Sequence, residues 1–468
     1  MKKHCSTIVT SCLRLLLATG LLCGGANLAL CHARSEPVRA VTTITAITAH
    51  AHEKTTADQH KVTDRWWQDF ADVHLNQLIE SALAANHDLG IATARLEQAR
   101  ALVDGANAER RPRLDAVATA QRSRDGAAST MLDRTALGLR AAWEVDVFGR
   151  AAAGVSAAKA EAESARHAWE ASRIVLAADV ATTYFELRTL EQRQDVLSEV
   201  ISIAQRQLEV SLRKLEAGSA SSLDAERWRA ELAQEQASKA QLDGQYQSGL
   251  HRLSILLGSS QLPVLGKQQI SMNFPAAPGT MLPIEWLERR PDVQRQARAL
   301  DAALARAGVA RRELYPSLQI SWSGARERLA EKGASAAPGF ALGYGLSLNL
   351  PILDGGRIRS NIELHDARAK EAMSEYEKAM LTALVDVDSR LSLWSATGVA
   401  LEQWQGASIA AELASRHAAR LYEAGVTDLS AVLDARRAQF KSRDALVQAT
   451  GARWEAAIGL RRAFAGSL

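Results

Sequence analysis

The chain has 468 residues with 56 basic and 53 acidic side chains, so its formal net charge at neutral pH is only +3. Residues 1–33 hold three of the basic residues and no acidic one, which leaves equal numbers of both signs in the rest of the chain. Such a balance gives no support to nucleic-acid binding. The length suits two or three average domains, or one elongated structure built from repeats.

Residues 1–33 have the pattern of a secretory signal peptide. Lys2 and Lys3 form a basic start, an apolar run follows, and small residues precede a cleavage position after Ala33. Small residues also allow a cut after Ala26. Export from the cytoplasm is therefore expected, with two alternatives for the mature N-terminus.

All four cysteines lie within this segment. Cleavage after Ala33 would leave a chain with neither a disulfide nor a thiol nucleophile. The alternative is a lipid anchor on Cys23 or Cys31. Each of these two cysteines follows a leucine, where lipoprotein signals usually have a smaller residue.

Residues 34–61 are rich in Thr, Ala and His and show no helical or strand period, so we expect an extended leader. His50, His52 and His60 lie in or beside it without acidic ligands at a fixed spacing. Histidines in that setting are more typical of a polar linker than of a metal site.

The rest of the chain contains an internal repeat at a spacing of 207 residues. Gly149-Arg150 recurs as Gly356-Arg357, and Glu216-Ala217-Gly218 recurs as Glu423-Ala424-Gly425. In each copy 68 proline-free residues separate the glycines. A helix of that length reaches on the order of 100 Å at about 1.5 Å per residue, far more than a globular domain needs.

We therefore predict two structural repeats, 62–262 and 284–468, joined by a linker at 263–283. Each contains a long helical hairpin that turns at Gly218 or at Gly425, because glycine reaches the left-handed conformation that ends a helix. A heptad seam in the first long helix predicts packing along its length. Its positions are Leu187, Leu190, Gln194, Leu197, Ile201, Ala204, Leu208, Ser211 and Leu215.

Four segments alternate apolar with polar or small residues. They cover about 113–123, 135–146, 317–326 and 339–350. Alternation over about ten residues is typical of strands that cross a bilayer around a polar lumen. The alternative is a soluble sheet with its apolar face on a core, but residues 333–353 are uncharged, which is unusual for a water-facing strand.

Four strands are too few to close a membrane barrel, since the smallest known ones have about eight. Open strand edges cannot face lipid, because their backbone groups would lack hydrogen-bond partners there. Membrane-spanning strands therefore predict an oligomer.

Several separated motifs, in order, resemble those of the outer-membrane efflux proteins, and in particular their factor-lipoprotein branch. The similarity runs from about Trp66 to Phe464. The motifs are Trp66-Trp67-x-x-Phe70, Trp143-Glu144-Val145-Asp146-Val147-Phe148-Gly149-Arg150, Leu287-Glu288-Arg289-Arg290-Pro291-Asp292-Val293, Tyr315-Pro316-Ser317-Leu318, Pro351-Ile352-Leu353-Asp354-Gly355-Gly356 and Tyr422-x-x-Gly425.

The resemblance implies a mainly α-helical protein with a membrane β portion. Three chains would contribute four strands each to a twelve-stranded outer-membrane barrel that continues as a helical tunnel into the periplasm. It also implies a homotrimer in contact with outer-membrane lipid, a periplasmic adaptor and an inner-membrane pump. The turns at Gly218 and Gly425 are the expected adaptor contacts, and Gly149, Gly355 and Gly356 are expected at strand-to-helix turns.

In the family the second set of hairpins closes the tunnel at its periplasmic end. Matched by position, Asp434 corresponds to the family's aspartate ring, Tyr422 to the tyrosine before the turn, and Asp224 to the acidic partner on the first hairpin. The residues at two further gate positions are Ala431 and Thr427, which removes part of the ion-pair lock that the family uses.

We find no sequence motif for catalysis or for a nucleotide, so we expect no enzyme activity, no cofactor and no metal. The predicted function is a passive exit channel for drugs or other small molecules in a tripartite efflux system. The alternative is a periplasmic adaptor or a coiled-coil scaffold without a channel. An adaptor would have one hairpin between β-rich domains, and a scaffold would lack the alternating segments.

Overall fold

The computed structural model of the protein describes residues 65–124, 131–218, 221–266, 274–275, 284–331 and 337–464. All of them belong to one compact unit, His60–Leu468. The predicted signal peptide with Cys23 and Cys31, the predicted leader and most of the predicted linker lie outside the described residues.

The first repeat begins with a 3-10 helix at Trp66–Phe70 and continues as two short helices, two strands and two long helices. These are α1 (Val73–Ala85), α2 (His87–Glu109), β1 (Arg113–Arg124), β2 (Met131–Val145), α3 (Arg150–Glu216) and α4 (Ser222–Leu256).

The second repeat has the same element order. It consists of α5 (Ile284–Arg289), α6 (Pro291–Arg312), β3 (Ser317–Glu331), β4 (Ala337–Asn349), α7 (Arg357–Glu423) and α8 (Leu429–Ala463). The helices α3 and α7 have 67 residues each, and α4 and α8 have 35 each. Within the described ranges, no helix is long and apolar enough to cross a membrane.

The four strands form one antiparallel sheet in the order β1-β2-β3-β4. The pairing register places Leu114, Ala141, Trp322 and Tyr344 side by side across the sheet. Because side chains alternate between the faces of a strand, the apolar set of every strand shares one face.

The strands β2 and β3 extend further than the alternation predicted. β2 begins at Met131 rather than at about 135, and β3 ends at Glu331 rather than at about 326. Arg134 Nη2 lies 2.6 Å from Glu327 Oε1 in this extension. Charged side chains paired across the strands stabilise this extension. An analysis of alternating hydrophobicity cannot detect such pairs.

The main core joins the N-terminal segment to the middle of α3 and the C-terminal part of α8. Trp66, Trp67 and Phe70 are buried there beside Phe185 and Trp454. The rings of Phe185 and Trp454 stack with centroids 4.5 Å apart and planes 8° apart. This aromatic contact fixes the two repeats to each other about halfway along α3, since α3 belongs to the first repeat and α8 to the second.

The predicted heptad seam of α3 forms its packed side. Leu187, Leu197, Ala204 and Ser211 are buried, and the remaining seam positions are partly buried. The helix is therefore held along its length by neighbours and not by its own propensity alone.

Candidate functional site

The turns from strand to helix are built by an aspartate and a glycine in each repeat. Gly149 and Gly356 directly precede α3 and α7 with φ angles of 75° and 89°, and Gly355 has a φ of 65°. Asp146 accepts hydrogen bonds from the backbone N–H groups of Ala151 at 3.0 Å and of Ala152 at 2.7 Å. The left-handed glycine lets the chain turn sharply enough for the aspartate to cap the helix.

Asp354 caps α7 in the second repeat, as Asp146 caps α3 in the first. It accepts hydrogen bonds from the backbone N–H groups of Gly356 at 3.0 Å and of Ile358 at 2.7 Å. These two bonds lower the pKa of the Asp354 carboxyl, because they favour its charged form. The pair of aspartate caps was not predicted, although both aspartates stand just before the glycines in the sequence.

Residues of two separate motifs and Arg312 of α6 meet at this junction. The rings of Phe148 and Tyr315 stack with centroids 5.2 Å apart, and Arg312 Nε donates to the Phe148 carbonyl oxygen at 3.1 Å. Arg150 Nη2 lies 2.7 Å from Glu144 Oε1. The motifs thus connect the sheet rigidly to the long helices.

The other end of the molecule carries the two hairpin turns. Gly218 and Gly425 follow α3 and α7 with φ angles of 70° and 74°. A side chain at either position would meet no atom within 4 Å, so only the left-handed backbone requires glycine. After the turns, Ser221 and Asp428 cap α4 and α8.

Of the three predicted gate residues, only Tyr422 packs between the two hairpins. It contacts a hydrophobic cluster of Ala204, Trp228, Leu429 and Leu433, which we call the tip cluster. The Lys214 Nζ atom lies 5.7 Å from the centroid of the Tyr422 ring.

The two predicted gate aspartates lie apart from this contact. The Asp434 side chain is 76% exposed, and its Oδ1 atom is 3.8 Å from Arg437 Nη1 on the same helix. Asp224 is partly buried in the first turn of α4. Among the described contacts of this single chain, none joins Asp224 to Asp434 or to Tyr422.

A cross-hairpin ion pair that the sequence did not predict lies next to the tip cluster. Arg437 on α8 binds Glu231 on α4 through both carboxylate oxygens, with Nη2 2.6 Å from Oε2 and Nε 3.2 Å from Oε1. The Glu231 side chain is only 8% exposed. The Arg437 side chain is 56% exposed, so its removal would leave the buried charge of Glu231 without its bidentate partner.

Glu235 lies one turn further along α4 and is also buried. Its burial raises the pKa of the Glu235 carboxyl, the nearby charge of Glu231 raises it further, and Arg437 opposes the rise. The carboxyl groups of Glu231 and Glu235 therefore both lie near the single guanidinium of Arg437.

Two more ion pairs connect α8 to α3. Arg193 Nε lies 2.7 Å from Asp444 Oδ1, and Arg443 Nη1 lies 2.6 Å from Glu199 Oε2. We call the pairs Glu231–Arg437, Arg193–Asp444 and Glu199–Arg443 the hairpin clasp. Its partners are more than 200 positions apart in the chain, so no local pattern could have revealed them.

A sheet with one apolar face, joined by capped turns to two helical hairpins, is the architecture of an outer-membrane channel with a helical part in the periplasm. The sequence matches the family described as "Outer membrane efflux protein" over residues 78–259 and 282–466, and the chain belongs to this family.

Named relatives agree with this assignment. The pyoverdine export outer membrane protein OpmQ of Pseudomonas aeruginosa is 30% identical over 418 residues, covering 86% of this chain and 87% of the relative. The cation efflux system protein CusC of Escherichia coli K12 is 26% identical over 412 residues, covering 86% and 88%. The solved outer-membrane channel OprN has a TM-score of 0.78 at 30% identity, covering 86% of this chain and 92% of OprN.

These comparisons confirm the predicted family, the fold class, the outer-membrane location and the function as an efflux channel. They do not support the alternative of an adaptor or scaffold, since the family and its neighbours are transport channels. The protein is thus an outer-membrane efflux channel.

Proposed function

We propose that the protein is a passive, homotrimeric exit channel with its closure at the hairpin tips. Three copies would complete a twelve-stranded barrel, because β1 and β4 are the free edges of the four-stranded sheet and cannot face lipid unpaired. The observation that carries the proposal is the tip cluster, where residues of α3, α4 and α8 pack together beside Tyr422 of α7 at the end remote from the strands.

The hairpin clasp supports a closed resting state. Opening of the second hairpin away from the first would expose the tip cluster and separate Glu231 from Arg437. Asp434, exposed on α8, would form a ring of three carboxylates in the trimer. Three carboxylates near a narrow axis repel one another and attract cations, so the closed channel should prefer cations.

The remaining assignments belong to the same proposal. The repeats span 62–262 and 284–468, a signal peptide at 1–33 directs export, and the alternative anchor is a lipid on Cys23 or Cys31. The turns at Gly218 and Gly425 contact a periplasmic adaptor, which links the channel to an inner-membrane pump. No step of this function calls for catalysis or a cofactor.

Relatives carry names with very different cargoes: pyoverdine for OpmQ, cations for CusC and toluene for TtgI of Pseudomonas putida. A wide passive conduit discriminates little between solutes. We therefore propose that the pump sets the substrate and that this chain accepts small molecules of more than one class.

The test is the single-channel conductance of the purified oligomer in a planar bilayer. Small, cation-selective currents are expected for the wild type, and larger, less selective currents for Asp224→Ala/Asp434→Ala. Glu226→Ala is the matched control, because Glu226 pairs with Arg229 on its own helix near the same tip. Wild-type conductance in the double variant would overturn the gate assignment, and an oligomer without any conductance would overturn the channel.

A further inference from the structure

The apolar face of the sheet carries arginines near the strand ends that are remote from the helices. Arg326 pairs in register with Leu137 and Phe340, and Arg328 with Thr135 and Pro338. Both arginines are exposed. Strand alternation places them on the face of Leu318, Ile320 and Trp322 and not on the polar face.

On β1 the same face ends in Arg122 and Arg124. Arg122 is engaged by Asp133 across the strand pair, with Nη2 2.8 Å from Oδ2. We call Arg124, Arg326 and Arg328 the basic border. Within the described part of the chain, no contact pairs Arg326 or Arg328 with an acidic side chain; Glu327 points to the opposite face and binds Arg134.

The position of the basic border matches the boundary of a membrane. Arg326 is eight positions after Leu318. At about 3.3 Å per residue and a strand tilt of about 40°, this is roughly 20 Å of height, close to the apolar band of about 25 Å on membrane barrels. Since the helices extend into the periplasm, the border meets the outer leaflet.

The opposite boundary of the same face is different. Its residues at the helical end are Leu114, Val145, Leu318 and Leu348, all apolar. Arginine on a lipid-facing strand is costly at the bilayer centre but not at the interface, where polar and anionic head groups can reach it. The two boundaries of the face thus differ in charge, and within the described strands only the boundary remote from the helices offers cationic groups to the head groups of a leaflet.

We propose that the basic border of each chain binds the phosphate groups of lipid A, the phosphorylated glycolipid anchor of lipopolysaccharide. The guanidinium fork suits a phosphate through paired N–H···O bonds. A trimer would present three such sites around the barrel. The proposal depends on the barrel and not on the gate. A failed lipid A experiment would therefore leave the gate assignment intact, and a failed gate experiment would leave the lipid A proposal intact.

The experiment is thermal unfolding of the purified oligomer in detergent, titrated with bisphosphorylated lipid A. Arg326→Gln/Arg328→Gln should need at least tenfold more lipid A than the wild type for the same rise in Tm. Arg140→Gln, which removes a charge from the polar face, is the control and should behave as wild type. Arg326→Lys/Arg328→Lys should retain most of the response.

Three further arms make the test decisive. Lipid A stripped of phosphate should have no effect on wild type, and neither inorganic phosphate nor phosphatidylglycerol micelles should match bisphosphorylated lipid A. Equal responses of the wild type and the glutamine variant to lipid A, or an equal response of wild type to phosphatidylglycerol, would overturn the proposal. The Tm of each variant without lipid shows whether it is folded.

Discussion

Near the hairpin tips, Glu231 and Glu235 are buried beside the partly exposed guanidinium of Arg437. The Arg437 guanidinium is bound to Glu231 through both carboxylate oxygens, and Glu235 is buried beside this pair. Burial raises the pKa of the Glu235 carboxyl above its ordinary value of 4.5. At neutral pH its ionisation therefore opposes the packing of α4 against α8.

Replacing Glu235 by glutamine should stabilise the protein at neutral pH. The pKa of Glu235 is raised in the folded state. Its contribution to the stability of the fold is therefore fully present below the unfolded-state pKa and is lost as the pH rises through the folded-state pKa. The Tm of wild type minus that of Glu235→Gln should therefore fall as the pH rises from about 4 to about 8. Thermal unfolding across that range measures it.

The control for this titration is Glu226→Gln, a change at an exposed glutamate on the same helix. It should leave the pH profile unchanged, because an exposed carboxyl contributes little through burial. Parallel profiles for wild type and Glu235→Gln would contradict the assigned pKa rise.

At the scale of elements, the approach of α8 to α3 depends on a glycine. A Cβ atom at Gly451 would lie 2.4 Å from Thr189 Oγ1 and 2.9 Å from Thr189 Cγ2. The Thr189 hydroxyl donates to the Phe185 carbonyl oxygen at 2.8 Å, so rotating this side chain away would break a hydrogen bond. The two helices therefore pack closely only because position 451 lacks a side chain.

Gly451→Ala should destabilise the protein by about 1–3 kcal/mol, the usual cost of overpacking a close contact. Gly105→Ala on α2 is the matched control, because a Cβ there meets nothing within 4 Å. It should stabilise by up to about 1 kcal/mol, the difference in helix propensity between alanine and glycine. Chemical denaturation of both variants measures the contrast, and equal shifts in the same direction would refute it.

At the scale of the whole molecule, the two faces of the sheet meet different surroundings. Leu346 lies on the apolar face, beside Ile320, and its neighbour Ser347 lies on the polar face, beside Gln319. Tyr344 is 86% exposed on the apolar face of the single chain. In the proposed barrel that face would contact lipid and the polar face would line the lumen.

Leu346→Arg should therefore impair insertion into the outer membrane, whereas Ser347→Arg should not. The cost of arginine on the lipid face is about 2–4 kcal/mol per chain near the bilayer centre. Membrane fractionation and the yield of heat-resistant oligomer measure the difference. Normal insertion of Leu346→Arg would contradict the assignment of the faces.

The sequence alone was sufficient to predict the long helices, the turn glycines and the four strands, because each depends on a local property. Helical composition, a left-handed backbone at Gly218 and Gly425, and alternation along strands all operate within a few residues. The repeat at 207 residues then determined that both halves have one element order.

Only the tertiary structure decided which side chains meet across the repeats. Trp454 against Phe185, Arg437 against Glu231, and the charged strand extension at Arg134 and Glu327 all join residues far apart in the chain. Such contacts arise from the packing of elements that are distant in the chain, and no local propensity encodes a partner 193 or more positions away. For the same reason the resemblance to the family predicts a gate role for the exposed Asp434, whereas nothing in the sequence predicted the pair of Glu231 with Arg437 beside it.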